Sequence, residues 1–104
     1  MAKPVGILEV FGLTTAFVAA DAGCKAADVT IERFDKNKPA NADSLPVPLI
    51  VAIKFRGDVA AVEAAMAAAT VTAKAMTGVV SSYVIPNPER PTEKMLKLSG
   101  LDKS

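Results

Sequence analysis

Histidine is absent from the sequence, and with it go imidazole acid–base catalysis, Ser-His-Asp triads and Cys-His dyads within one chain. The single cysteine, Cys24, cannot form an internal disulfide and, without histidine, cannot build one of the usual zinc sites. Such cysteine usage fits a reducing cytoplasm. Neither G-x-x-x-x-G-K-[ST] nor G-x-G-x-x-G occurs, so no phosphate-cradling loop is expected. Excess charge is also missing. Twelve basic residues face eleven acidic ones, which argues against general nucleic-acid binding and leaves little repulsion between copies of the chain.

No run approaches the roughly 18–20 uncharged residues of a membrane span, because Glu63 and Lys74 interrupt the alanine-rich segment Val59–Met76. Glu9 likewise interrupts the first apolar run, and nothing resembling a secretory cleavage site follows. A cytoplasmic protein is expected. Glu9, Asp21, Asp58 and Glu63 remain as candidate carboxylates, but Asp58 is better explained as a helix cap. The absences point away from an enzyme and away from a metal or cofactor.

What is present is apolar: 51% of the 104 residues are hydrophobic, with many alanines. That is enough for one domain spanning residues 1–104, its core at 5–88, with small side chains and close backbone approach. Val5 to Phe11 is a β-branched apolar run closed by Gly12 and predicts a strand. Leu13, Ala16, Phe17, Ala20, Cys24 and Ala27 then recur at three- and four-residue spacing, a helical face that makes Cys24 a small buried hydrophobe. Val29 to Asp35 alternates with a period of two and predicts a half-buried strand. Lys36 to Pro48 holds three prolines and no glycine, a connection longer than the usual hairpin loop.

Leu49 to Phe55 predicts a central strand, and Asp58 the N-cap of a helix whose inward stripe is Val59, Val62, Met66, Ala69, Ala73 and Met76. Gly78 suits the end of that helix. Val79 to Ile85 is a fourth strand, and Thr92 caps a short tail helix over about 92–99. The order βαββαβ plus a tail helix predicts an α/β (α+β) ferredoxin-like sheet with two helices on one face.

Four segments carry a resemblance. Gly6-Ile-Leu-Glu-Val-Phe-Gly-Leu13 and Ala20-Asp-Ala-Gly-Cys-Lys-Ala-Ala27 are followed by Phe55-Arg-Gly-Asp-Val-Ala-Ala-Val62 and Gly78-Val-Val-Ser-Ser-Tyr-Val-Ile-Pro86. In this order they resemble bacterial microcompartment shell proteins of the single-domain class. The resemblance implies the same α/β fold and a structural subunit that forms cyclic hexamers. These tile into a cytoplasmic shell around metabolic enzymes and carry a central pore for small polar metabolites. The implied partners are copies of itself, other shell proteins and encapsulated enzymes, with no nucleic acid and no membrane. A small-molecule-sensing regulatory oligomer of the same fold is the alternative.

The resemblance places the pore at the connection between the second and third strands, here Lys36, Asn37, Lys38, Pro39, Asn41, Asp43 and Ser44. The family's short glycine-rich loop is replaced by a longer, glycine-free one, and no cysteine in it offers to hold a cluster. Lys25 matches the lysine that meets its two-fold mate between hexamers, against the plain reading of a solvated helix lysine. Asn87 stands where many members have an arginine at that edge, with Arg90 three residues on. Glu9 and Arg56 are open to two readings, an intersubunit pair or strand-end surface charges.

Overall fold

Four strands and three helices account for the described part of the chain, residues 3–37 and 49–97 of a computed structural model. In chain order they are β1 (Val5–Phe11), α1 (Leu13–Ala26), β2 (Thr30–Asn37), β3 (Ile50–Arg56), α2 (Val59–Met76), β4 (Val79–Ile85) and α3 (Arg90–Leu96). The strands form one sheet in the order β2-β3-β1-β4, every neighbouring pair antiparallel. Each helix that joins β1 to β2 or β3 to β4 crosses over an intervening strand, which is the ferredoxin-like arrangement.

Alternation along the strands sorts the sheet into two faces. Gly6 lies against the α2 side chains Val62 and Met66, so its parity marks the helix face. Leu8 and Val10 share that parity on β1. Val51, Ile53 and Phe55 lie opposite them on β3. These five side chains are fully buried beneath α1 and α2. The reverse face takes Lys54 and Arg56, and α3 packs there.

The β1–α1 junction needs Gly12, whose φ of 91° disfavours a side chain. Its amide donates to the Leu49 carbonyl at 2.8 Å, tying the start of α1 to the entry of β3. At the other helix end, Gly78 has φ 144° and donates to the Ala73 carbonyl at 3.0 Å, which turns the chain from α2 into β4.

Several expectations are corrected. The buried residues of α1 are Thr15, Ala16, Ala19, Ala20 and Gly23. This stripe is rotated from the expected one by most of the ~100° between successive helical residues. Phe17 and Cys24 are therefore exposed, not core. On α2 the inner stripe is Val62, Ala65, Met66, Ala69 and Ala73, with Val59 and Met76 outside it at the two ends. Asp58 occupies the N-cap position but its side chain makes no capping bond. α2 is long and apolar enough to cross a membrane by length and composition alone, yet this stripe packs on the sheet.

β2 continues through Lys36 and Asn37, which pair with Val51 and Ile50. Those two residues are strand rather than loop, because β3 offers partners up to Ile50. α3 begins at Arg90 with Glu89 as its N-cap and Pro91 in its first turn, where a missing N–H costs nothing. Thr92 is inside the helix, not its cap.

Candidate functional site

The residues singled out in the sequence fall at opposite ends of the sheet. Asn37 and Leu49 flank the 38–48 connection at the end that also carries Phe11, Gly12 and Gly78. This end is braced by polar contacts: the Thr77 hydroxyl donates to the Phe11 carbonyl at 2.7 Å and lies 3.1 Å from the Thr15 hydroxyl. Lys36 and Asn37 are both exposed there. Parity places Lys36, paired with Val51, on the helix face and Asn37 on the reverse face. Lys38, Pro39, Asn41, Asp43 and Ser44 lie outside the described residues.

A seven-residue strand spans about 20 Å, and beyond its other end lie the C-terminus of α1 and the β4–α3 corner. Lys25, Asn87 and Arg90 are all exposed here. Lys25 is paired with Asp21 one turn back at 2.8 Å. The hydrogen bond and charge of Asp21 raise the lysine pKa against a small opposing desolvation. Cys24 lies on the neighbouring helical position, and burial together with Asp21 pushes its thiol pKa up. It is a poor nucleophile for its exposure.

The reverse face holds a charged cluster around Arg56, which the sequence left open between an intersubunit pair and a strand-end surface charge. Arg56 is buried. Its Nε donates to Glu32 Oε2 at 2.9 Å and its Nη1 to the Lys3 carbonyl at 2.6 Å. Its Nη2 lies 2.7 Å from Glu93 Oε1, an ion pair by distance whose N–H is not aligned for a hydrogen bond. Burial opposes the arginine charge, and the two glutamates outweigh it, raising the pKa. Lys54 donates to the Leu96 carbonyl at 3.1 Å, and burial lowers its pKa against the pull of Asp35 and Glu32. Arg33 Nε donates to the Lys97 carbonyl at 3.1 Å.

A bulge between Ile31 and Arg33 makes this possible, since it lets Glu32 and Arg33 both serve the reverse face. Arg56 is thus not a strand-end surface charge. The signal was legible: Lys54 and Arg56 share a parity inside an apolar strand, so one face of β3 must satisfy two cations. Glu9 is elsewhere, accepting from the Ser81 hydroxyl at 2.5 Å. Among the described residues no group of three or more His, Cys, Asp or Glu side chains could hold a metal ion.

Large apolar side chains stand exposed along both lateral edges of the described residues. Phe17 packs edge-to-face on Phe34 of edge strand β2, with centroids 5.0 Å apart, and is 53% exposed beside Leu13 and Val18. On the opposite side, edge strand β4 exposes Val80 and Tyr83, and α2 exposes Val71 and Met76. Both edge strands, β2 and β4, thus have large apolar side chains exposed beside them.

The BMC domain family model matches residues 4–88. The chain belongs to the BMC-domain family. This BMC-domain chain is 36% identical over 94 residues to the bacterial microcompartment shell protein PduA of Citrobacter freundii, covering 90% of its own length and 91% of the relative's. It is 33% identical over 105 residues to the carboxysome shell protein CcmK3 of Halothece sp., covering 99% and 94%. Among solved structures, a microcompartment protein from Desulfitobacterium hafniense superposes with a TM-score of 0.68 over 95% of this BMC-domain chain at 24% identity, a likeness of fold. The chain spans 49% of that protein's length.

Proposed function

We propose that the protein is a structural shell subunit of a bacterial microcompartment in the cytoplasm, not an enzyme. In this reading it assembles into cyclic hexamers that tile with one another and with other shell proteins around encapsulated enzymes. The observation that carries the reading, beyond the family itself, is the pair of apolar edges. The Phe17–Phe34 edge and the Tyr83–Val80 edge are different surfaces on opposite sides of one sheet. Two unlike surfaces associate head to tail, and such an interface closes into a ring when the rotation fits. An isologous dimer would instead leave one edge uncovered.

In the hexamer the 38–48 connection approaches the six-fold axis, with Lys36 and Asn37 at its entry, and lines a pore for small polar metabolites. The opposite sheet end, with Lys25, Asn87 and Arg90, forms the perimeter where hexamers meet. The placement of these two groups about 20 Å apart along the strands supports assigning them to separate contacts.

Native mass spectrometry of the wild-type chain and of Tyr83→Asp tests the ring. The expected result is a hexamer for the wild type and a shift towards monomer for the variant. A wild-type monomer or trimer as the dominant species overturns the proposal, and so does an unaltered hexamer in Tyr83→Asp.

A further inference from the structure

We propose that α3 is a releasable strap, clamped across the reverse face of the sheet by charge and opening as a unit while the sheet and the two large helices stay folded. The argument begins with how little holds α3 by burial. Of its seven residues only Leu96 is buried, and Met95 is 68% exposed. A helix this short cannot sustain itself in water, where roughly 12–15 residues are needed even for favourable sequences. Its helical state therefore depends on what it touches.

Apart from the buried Leu96 side chain, its anchors are ionic. Glu93 meets Arg56 at 2.7 Å. The Leu96 carbonyl accepts from Lys54, and the Lys97 carbonyl from Arg33. These are the last carbonyls of the helix, the negative end of its dipole, so two cations cap the terminus while a third holds the middle. The three cations come from two adjacent strands, and Arg33 and Lys54 are register partners. The clamp sites thus belong to the rigid sheet, and the moving part is α3 alone.

The side-chain anchors that hold the strap are three, at Arg56, Lys54 and Arg33. Glu93 retains 27% side-chain exposure, but its paired oxygen Oε1 is buried and the Arg56 side chain is only 9% exposed, so the closed pair is shielded from ions. Arg56 keeps Glu32 and the Lys3 carbonyl when Glu93 leaves, which spares it the cost of an unpaired buried charge. Opening therefore exchanges one carboxylate at Arg56 for solvent, and uncovers Lys54 and Arg56 beside the already exposed Arg33, with Glu32 and Asp35 still among them.

Hydrogen exchange read by mass spectrometry on the full chain decides the matter, comparing a peptide covering 89–97 with peptides from β3 and α2. The strap predicts that α3 is protected but exchanges faster than β3 and α2. Glu93→Gln should accelerate exchange in α3 by roughly fivefold, the loss of one ion pair, and leave β3 and α2 unchanged. Exchange of α3 in step with β3 and α2 under every condition overturns the strap, because α3 would then be part of the core. No protection of α3 in the wild type overturns it as well, because there would be no closed state. Neither outcome depends on whether the chain forms hexamers.

Discussion

Replacing Gly23 by alanine should destabilise the protein, although alanine is the better helix former by about 0.8–1.0 kcal/mol. Gly23 lies in α1 where the helix crosses the sheet. A Cβ built there would stand 2.6 Å from Phe55 Cε1, 2.9 Å from Phe55 Cζ and 3.2 Å from the Ala65 carbonyl oxygen. Carbon atoms pack favourably at about 3.5–4.0 Å, so the overlap with the ring is about 1 Å. Phe55 is fully buried, and the Ala65 carbonyl is α2 backbone, so neither neighbour can yield cheaply. Forcing an extra carbon into such a site costs about 1–3 kcal/mol, and contact with two ring atoms and a backbone oxygen puts it toward the upper end. Subtracting the helix-propensity gain leaves a net loss of about 1–2 kcal/mol. Urea unfolding at matched protein concentration, followed by far-UV circular dichroism, should show a lower midpoint with an unchanged slope. A midpoint equal to or above that of the wild type refutes the packing of α1 on Phe55 described above.

Lys25→Asp should abolish sheets or tubes seen by electron microscopy and leave the hexamer peak in native mass spectra unchanged. It should cost little in the protomer, since like charges one turn apart destabilise a helix by only about 0.2–0.5 kcal/mol. Cys24 should alkylate with iodoacetamide more slowly in the native chain than in the urea-unfolded chain at pH 8, because its raised pKa leaves less thiolate. The gap should narrow as pH rises through the native pKa. A constant ratio across pH indicates steric shielding instead.

Much of the fold was legible because its signals are local. The apolar run Val5–Phe11 and its closing glycine marked β1 to the residue, and Val79–Ile85 marked β4. The change from a period of two to one of 3.6 separated strands from helices, and their order fixed a split βαβ pattern. The family motifs then carried the functional reading. The orientation of α1 was not legible, because its surface is mostly small residues. A stripe of Thr15, Ala16, Ala19, Ala20 and Gly23 differs in hydrophobicity too little from its flank, where Phe17 and Cys24 sit.

The sequence by itself determined which segments are strands and helices, the order in which they cross, and the family to which the chain belongs. Only the tertiary structure decided what depends on partners distant in the chain. The bulge at Glu32 is one case. Strict alternation from Val29 puts Ile31 and Phe34 on opposite faces, yet the inserted residue brings both against the helix-side core. It also turns Arg33 to the reverse face, beside Glu32. Arg56 is the other case. In sequence it is open between an intersubunit pair and a surface charge, until Glu32, Glu93 and the Lys3 carbonyl, each at least 24 positions away, converge on one guanidinium. A side chain's own propensity sets its secondary structure. Whether it is core, clamp or surface is set by what the rest of the chain lays over it.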